Sequence, residues 1–204
     1  LGRTGNGKSS TGNTILKMKA FKESSGSSSC SKLIKDAENV INNVSITVYD
    51  TPGLFDGDDN DMLTAEERAV VQMDSLMYAC QKSGVNAFVL VLNATNRFTE
   101  EEKKTVQWYE AIFGADFLKK NGILALTHAD NIGTENKDTD LKDWTAKQTG
   151  AMKTLIEKFE GRIAFFENIG NFEGRREKSG VKLRDLCQQK LELNAYSMMN
   201  YKNN

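Results

Sequence analysis

The sequence predicts an α/β domain built on a mostly parallel central sheet with helices on both faces. Three observations carry that prediction. Apolar or β-branched segments at 44–49, 86–92 and 123–126 alternate with helical patterns, the order that builds a parallel sheet covered on both sides. Residues 2–9 match the phosphate-binding loop pattern GxxxxGK[ST] at every fixed position. Polar residues with recognisable chemistry, Asp50 and Asp130, stand just beyond strand ends, where such sheets gather their sites. At 204 residues the chain suits one such domain with a proper core.

The elements follow in order. The phosphate loop should open a helix from Ser10 to Leu16 whose positive end faces an anion. A loop normally joins a buried strand to that helix, yet only Leu1 precedes Gly2, so the feeding strand is expected to lie outside the sequence. Residues 32–41 form a weaker strand, joined to 44–49 by a hairpin turn at 41–44. Thr64 and Glu67 have capping-box spacing and should start a helix running to about 81. The run 86–92 is apolar throughout, as suits a strand buried on both faces. Thr99 and Glu102 repeat the capping-box spacing, opening a helix that ends near Gly114, with Trp108, Tyr109, Ile112 and Phe113 on its core side. Strands are expected at 123–126 and 162–166, and helical segments at 142–159 and 181–193. Ser24 to Ser31 reads as a Ser/Gly-rich mobile loop. The acidic stretch 56–61 lacks the correctly placed Gly and Glu of a calcium loop.

Composition excludes several classes. The 27 basic and 28 acidic residues nearly cancel, which leaves no bulk charge argument for nucleic acid or an anionic membrane. Cys30, Cys80 and Cys187 are odd in number and have no metal-ligand spacing, so they read as reduced thiols. No run approaches 18 apolar residues. A soluble, cytoplasmic protein is expected, with attachment to the cytosolic face of an organelle membrane left to segments outside the sequence.

The site chemistry is specific. Gly5 and Gly7 let the loop curl so that successive amides point inward; Arg3, Thr4, Asn6 and Ser10 complete the expected phosphate contacts. Lys8 should reach the β- and γ-phosphates, and the Ser9 hydroxyl should bind Mg²⁺. Asp50, at a strand end, should hold the same ion, and the Gly53 amide is placed for a γ-phosphate. In Thr127-His128-Ala129-Asp130, the Asp130 carboxylate can accept from N1–H and the 2-amino group of guanine, donors that adenine lacks. His128, the only histidine, either packs beside the base or acts as a general base. Glu167 and Asn168 would supply a last base contact. Leu54 occupies the position where a water-orienting glutamine would stand, which implies slow hydrolysis.

The segments GRTGNGKSSTGNTIL (2–16), DTPGLFD (50–56), RFTEEEKKTVQWYEAIFG (97–114) and THAD (127–130) resemble the immunity-associated GTPases, the GIMAP or IAN family, with the Toc chloroplast-import GTPases as relatives. The resemblance covers about 1–168. It implies a Ras-like P-loop G domain over 1–195, of the AIG type, followed by the start of a C-terminal tail at 196–204. It further implies GTP and GDP as ligands with Mg²⁺, and nucleotide-controlled self-association as a homodimer or oligomer. Ser31 is the nearest match to the family's switch threonine, and Ser24 falls where the family places a nucleotide-contacting serine. Arg97 matches an arginine near the dimer face that would reach a partner protomer's phosphates; a plain surface arginine is the alternative. Two other functional readings stay open: a non-hydrolysing nucleotide-bound scaffold, and an ATP-dependent transferase, against which Asp130 argues.

Overall fold

Side chains along a strand alternate between faces, and here that alternation sorts two cores. In the computed structural model, which describes residues 1–23, 34–53, 84–132, 137–168 and 174–191 with isolated positions between 64 and 78, three strands form a parallel sheet. These are β3 (Phe88–Asn93), β4 (Gly122–Thr127) and β5 (Ile163–Phe165), in the order β3-β4-β5. Leu90, Leu92, Leu124 and Leu126 point to one face, while Val91, Ile123 and Ala125 point to the other. A sheet buried on both sides requires this uninterrupted apolar composition.

The larger core lies under α2 (Glu100–Phe113), α3 (Phe117–Asn121), α4 (Lys137–Ala146) and α5 (Gly150–Lys158). Tyr109, Phe113, Phe117 and Phe159 are fully buried there, and Trp108 and Ile112 pack against them, as the helical spacing implies. Phe88, Phe113 and Phe117 form a mutual aromatic cluster with ring centroids 4.7–5.4 Å apart. The smaller core joins Ile15 of α1 (Lys8–Leu16) and Leu183 of α6 (Arg175–Leu191) to the opposite face.

The remaining strands, β1 (Lys35–Ile41) and β2 (Val44–Asp50), make an antiparallel hairpin closed by the pair Ile41↔Val44. Asn42 and Asn43 have φ of 51° and 64°, the two left-handed residues that a two-residue hairpin turn demands. Among the described residues this hairpin is not hydrogen-bonded to the parallel sheet. A cavity of about 390 Å³ lies between them, lined by Ile46, Val48, Val89 and Val91. Leu1 sits at its edge in ladder register: its nitrogen donates to the Val89 carbonyl at 2.8 Å, and its carbonyl accepts from the Val91 amide at 2.9 Å. The residue before the phosphate loop thus pairs its backbone with β3.

Both capping boxes form. Thr99 and Glu102 exchange backbone and side-chain bonds at the start of α2, and Thr64 and Glu67 do the same upstream. Positions 67, 70–71, 74 and 76–78 are helical, as expected of that segment. Strand ends shift by one to three residues, and the helices differ from the sequence reading more substantially. The helical pattern at 142–159 begins at Lys137 and breaks into two helices between Ala146 and Gly150, where Thr149 is extended and Gly150 takes φ 56°. The last helix starts at Arg175, six residues early, since its first turn is polar and lacks apolar periodicity. The short α3 was not anticipated; it is held by two buried residues, Phe117 and Leu118. No helix among the described residues is long and apolar enough to cross a membrane.

Candidate functional site

The carboxyl ends of the parallel strands β3, β4 and β5 lie at one edge, and the phosphate loop meets them there through Thr127 and, through Ser9, the end of β2 at Asp50. Gly2, at φ 130°, passes so close to β3 that a Cβ would lie 2.4 Å from the Val91 carbonyl oxygen. Gly7, at φ 88°, is the N-cap of α1, and a Cβ there would press on Thr127 Cγ2 at 3.3 Å and Asn168 Nδ2 at 3.4 Å. Only glycine satisfies both the left-handed backbone and these close approaches.

Side chains from three elements pin the loop. The Thr127 hydroxyl, at the end of β4, lies 2.8 Å from the Asn6 carbonyl and 3.1 Å from that of Leu92. Asn6 is buried, and its Nδ2 donates to the Val91 carbonyl at 3.2 Å and to Glu102 Oε1 at 2.8 Å. Glu102 thereby caps α2 with one oxygen and ties the phosphate loop with the other. Lys8 Nζ folds across the loop to the Arg3 carbonyl at 3.0 Å.

Ser9, in the first turn of α1, donates its hydroxyl to Asp50 Oδ2 at 2.7 Å. Asp50 is 4% exposed and is followed by Thr51, Pro52 and Gly53, all buried. A hydroxyl and a carboxylate brought together this way supply hard oxygen donors, the ligand chemistry Mg²⁺ prefers. Among the described residues no cluster of three His, Cys, Asp or Glu forms a self-sufficient metal cage.

Across the loop, Asp130 sits half-buried in the 3-10 turn Ala129–Asn131 directly after β4. His128 is exposed at φ 57°, with Nδ1 3.1 Å from the Thr127 hydroxyl. Glu167 is buried, and its amide donates to the Ser179 hydroxyl at 3.2 Å. The Asn168 side chain is engaged with α1: its Oδ1 accepts from Thr14 Oγ1 at 2.9 Å and its Nδ2 donates to Thr11 Oγ1 at 3.1 Å. Arg97 is exposed in the connection between β3 and α2. Arg3 and Gly5 are exposed, and Thr4 and Ser10 half-buried, on the loop and the first turn. Ser24 and Ser31 lie outside the described residues.

The sequence reading missed the supporting layer. Glu102 was visible only as a helix cap, because its bond to Asn6 spans 96 positions. Thr11, Asn13 and Thr14 follow the loop in the TGN tail and its neighbour; Thr11 and Thr14 bond distant segments, and Asn13 bonds the chain just after α1. Arg176 carried no signal that the sequence reading used.

A family model described as the AIG1 family matches residues 1–200. Immune-associated nucleotide-binding protein 12 of Arabidopsis thaliana is 30% identical over 201 residues, covering 98% of this chain and 48% of that protein. Human GTPase IMAP family member 8 is 33% identical over 173 residues, covering 84% of this chain and 24% of that protein. The chain spans about half the length of the first of these relatives and less of the second. Toc33 from Arabidopsis thaliana, in a crystal structure with GDP and Mg²⁺, superposes with a TM-score of 0.63 at 17% identity, covering 93% of this chain and 82% of that one. A second structure, from work stating that dimerization is important for the GTPase activity of atToc33 and psToc159, gives 0.66 at 18% identity, with 92% and 80% covered. These likenesses show the fold of a P-loop GTPase domain. With that fold, its phosphate loop and a family match over nearly its whole length, the chain belongs to the AIG1 family.

Proposed function

We propose that this chain binds guanine nucleotide with Mg²⁺ and hydrolyses GTP slowly, as a switch whose output is self-association and partner binding. The observation that carries the reading is the Ser9–Asp50 contact at 2.7 Å beside a glycine-rich anion cradle, with Asp130 at the neighbouring strand end. The loop amides from Arg3 to Ser10 and the start of α1 would hold the phosphates. Lys8 would leave the Arg3 carbonyl for the β- and γ-phosphate oxygens. Ser9 and Asp50 would hold Mg²⁺, which supplies charge neutralisation at the phosphates when bound. Ser31 is the proposed further magnesium ligand, and Ser24 and Gly53 further nucleotide contacts. Asp130 would select guanine, with Thr127, His128, Glu167 and Asn168 shaping the base side.

Slow turnover follows from Leu54, whose side chain cannot orient water. Arg97, exposed beside the loop end of α2, is proposed to reach a second protomer's phosphates in trans. That dimerization is important for the GTPase activity of Toc proteins of similar fold supports self-association as the context for such a role. Leu54 also favours a second reading, a nucleotide-bound scaffold that does not hydrolyse.

Calorimetry on nucleotide-stripped protein tests the core reading. Heat of binding is expected from GDP and GTP with Mg²⁺, and none from ATP; silence toward both guanine nucleotides would refute it. A sensitive phosphate-release assay on the same sample then separates switch from scaffold.

A further inference from the structure

We propose that Arg176 of α6 is a positioning residue for the nucleotide site, fixing where the chain leaves α1 toward Ser24. The proposal rests on the guanine-nucleotide reading above. Arg176 is 3% exposed, and its Nε and Nη2 are hydrogen-bonded to three groups. Nε donates to the Thr14 hydroxyl at 2.8 Å; Nη2 donates to the Ser10 carbonyl at 3.1 Å and to Glu23 Oε1 at 2.6 Å. Glu23 is the last described residue before that segment.

Asn13 completes the clamp from the other side. Its Oδ1 accepts from the Ala20 and Phe21 amides at 2.9 and 2.7 Å, and its Nδ2 donates to the Phe21 carbonyl and to Glu23 Oε1, both at 2.8 Å. Gly12 lets the Phe21 ring close on α1, since a Cβ there would meet it at 2.9 Å. The TGN tail of the phosphate loop therefore does three separate jobs. Thr11 holds Asn168, Gly12 admits Phe21, and Asn13 grips 20–23.

The Thr14 hydroxyl that receives Arg176 also bonds Asn168 Oδ1 at 2.9 Å. One buried cation is thus bonded, directly or through one hydroxyl, to both the Glu23 side and the base side of α1. A purely structural contact between α6 and α1 would not need it. Burying a guanidinium is costly, and apolar packing serves helix docking as well or better. Arg184 already docks α6 on the end of α1, donating to the Ile15 carbonyl at 3.1 Å.

The test compares R176M, R176K, E23Q, the double variant E23Q/R176M and R184M in the full chain. Release of a fluorescent GDP analogue in the presence of Mg²⁺ is the readout, with melting temperature measured alongside. R176M and E23Q are expected to speed release by about tenfold, the double variant no more than either single, and R176K to recover part of the loss. R184M should lower the melting temperature while leaving release within about twofold of wild type. Release from R176M within twofold of wild type, or equal acceleration by R184M, would overturn the proposal. Amide exchange at Ala20 and Phe21 in nucleotide-free protein separates the two levels of inference. Faster exchange in R176M supports the clamp even if no guanine nucleotide binds and the functional reading falls; unchanged exchange overturns the clamp itself.

Discussion

Replacing Glu102 by glutamine changes almost nothing in size and inverts half of its chemistry. The two carboxylate oxygens serve two donors on different elements: Oε1 accepts from Asn6 Nδ2 at 2.8 Å, and Oε2 from the Thr99 amide at 3.0 Å. Glutamine keeps one acceptor and presents an amide donor at the other position, so one donor must face a donor. Glu102 is 7% exposed and Asn6 6%, so water cannot readily repair the mismatch. Losing one charge-assisted bond at a buried site and leaving its donor unsatisfied costs about 2–3 kcal/mol. In a domain of about 200 residues that lowers the melting temperature by about 4–12 °C. Calorimetric melting of nucleotide-free protein reads the effect, with E100Q as the control. Glu100 is 78% exposed and pairs with Lys103 on the same helix face, an arrangement worth about 0.5 kcal/mol. If E102Q melts within a degree of wild type, or no lower than E100Q, the link between the α2 cap and the phosphate loop does not carry the energy assigned to it.

Three further outcomes are expected. Asp130→Asn should weaken GDP binding by about 100-fold or more while improving xanthosine diphosphate, whose 2-oxo group wants a donor; unchanged base preference in competition binding would reject Asp130 as the selector. Arg97→Ala should abolish any rise in GTP turnover per molecule with protein concentration, measured by phosphate release; turnover already independent of concentration in wild type rejects action in trans. Burial pushes the Glu23 carboxyl up, but hydrogen bonds from Arg176, Asn13 and Ser10 outweigh it and hold the group below its ordinary value of 4.5. A depressed folded pKa adds stability above 4.5 that disappears as pH falls through the folded value. The melting difference between wild type and E23Q should therefore be full at pH 6–7 and shrink steadily below pH 4.5; a difference that grows toward acid would contradict the pairing.

Much of the fold was legible because its signals are local. The apolar runs that became β3 and β4 had to be buried on both faces, whatever they packed against. Two capping boxes placed helix starts at Thr64 and Thr99, since the bonds involved span only three residues. Boundaries failed where the deciding contact was remote or the pattern was polar. The first turn of α6 has no apolar rhythm, and Arg176 is helical there while facing α1. The break before α5 falls at an extended Thr149 followed by a left-handed Gly150, a glycine that sequence spacing alone could not distinguish from a tolerated one.

Residues 2–9, Asp50 and Asp130 carried the candidate chemistry by themselves, because an anion cradle, a magnesium-type ligand and a base-selecting acid are each defined by residue type and by position after a strand. Whether those groups meet is a different matter. The contact of Ser9 with Asp50 spans 41 positions, Thr127 with Asn6 121, and Arg176 with Glu23 153. Such bonds belong to no local pattern; they exist because α1 lies against the end of the β1-β2 hairpin, the parallel sheet gathers its strand ends at one edge, and α6 folds back across α1. Chemistry was written in the order of residues, and its arrangement was decided by burial.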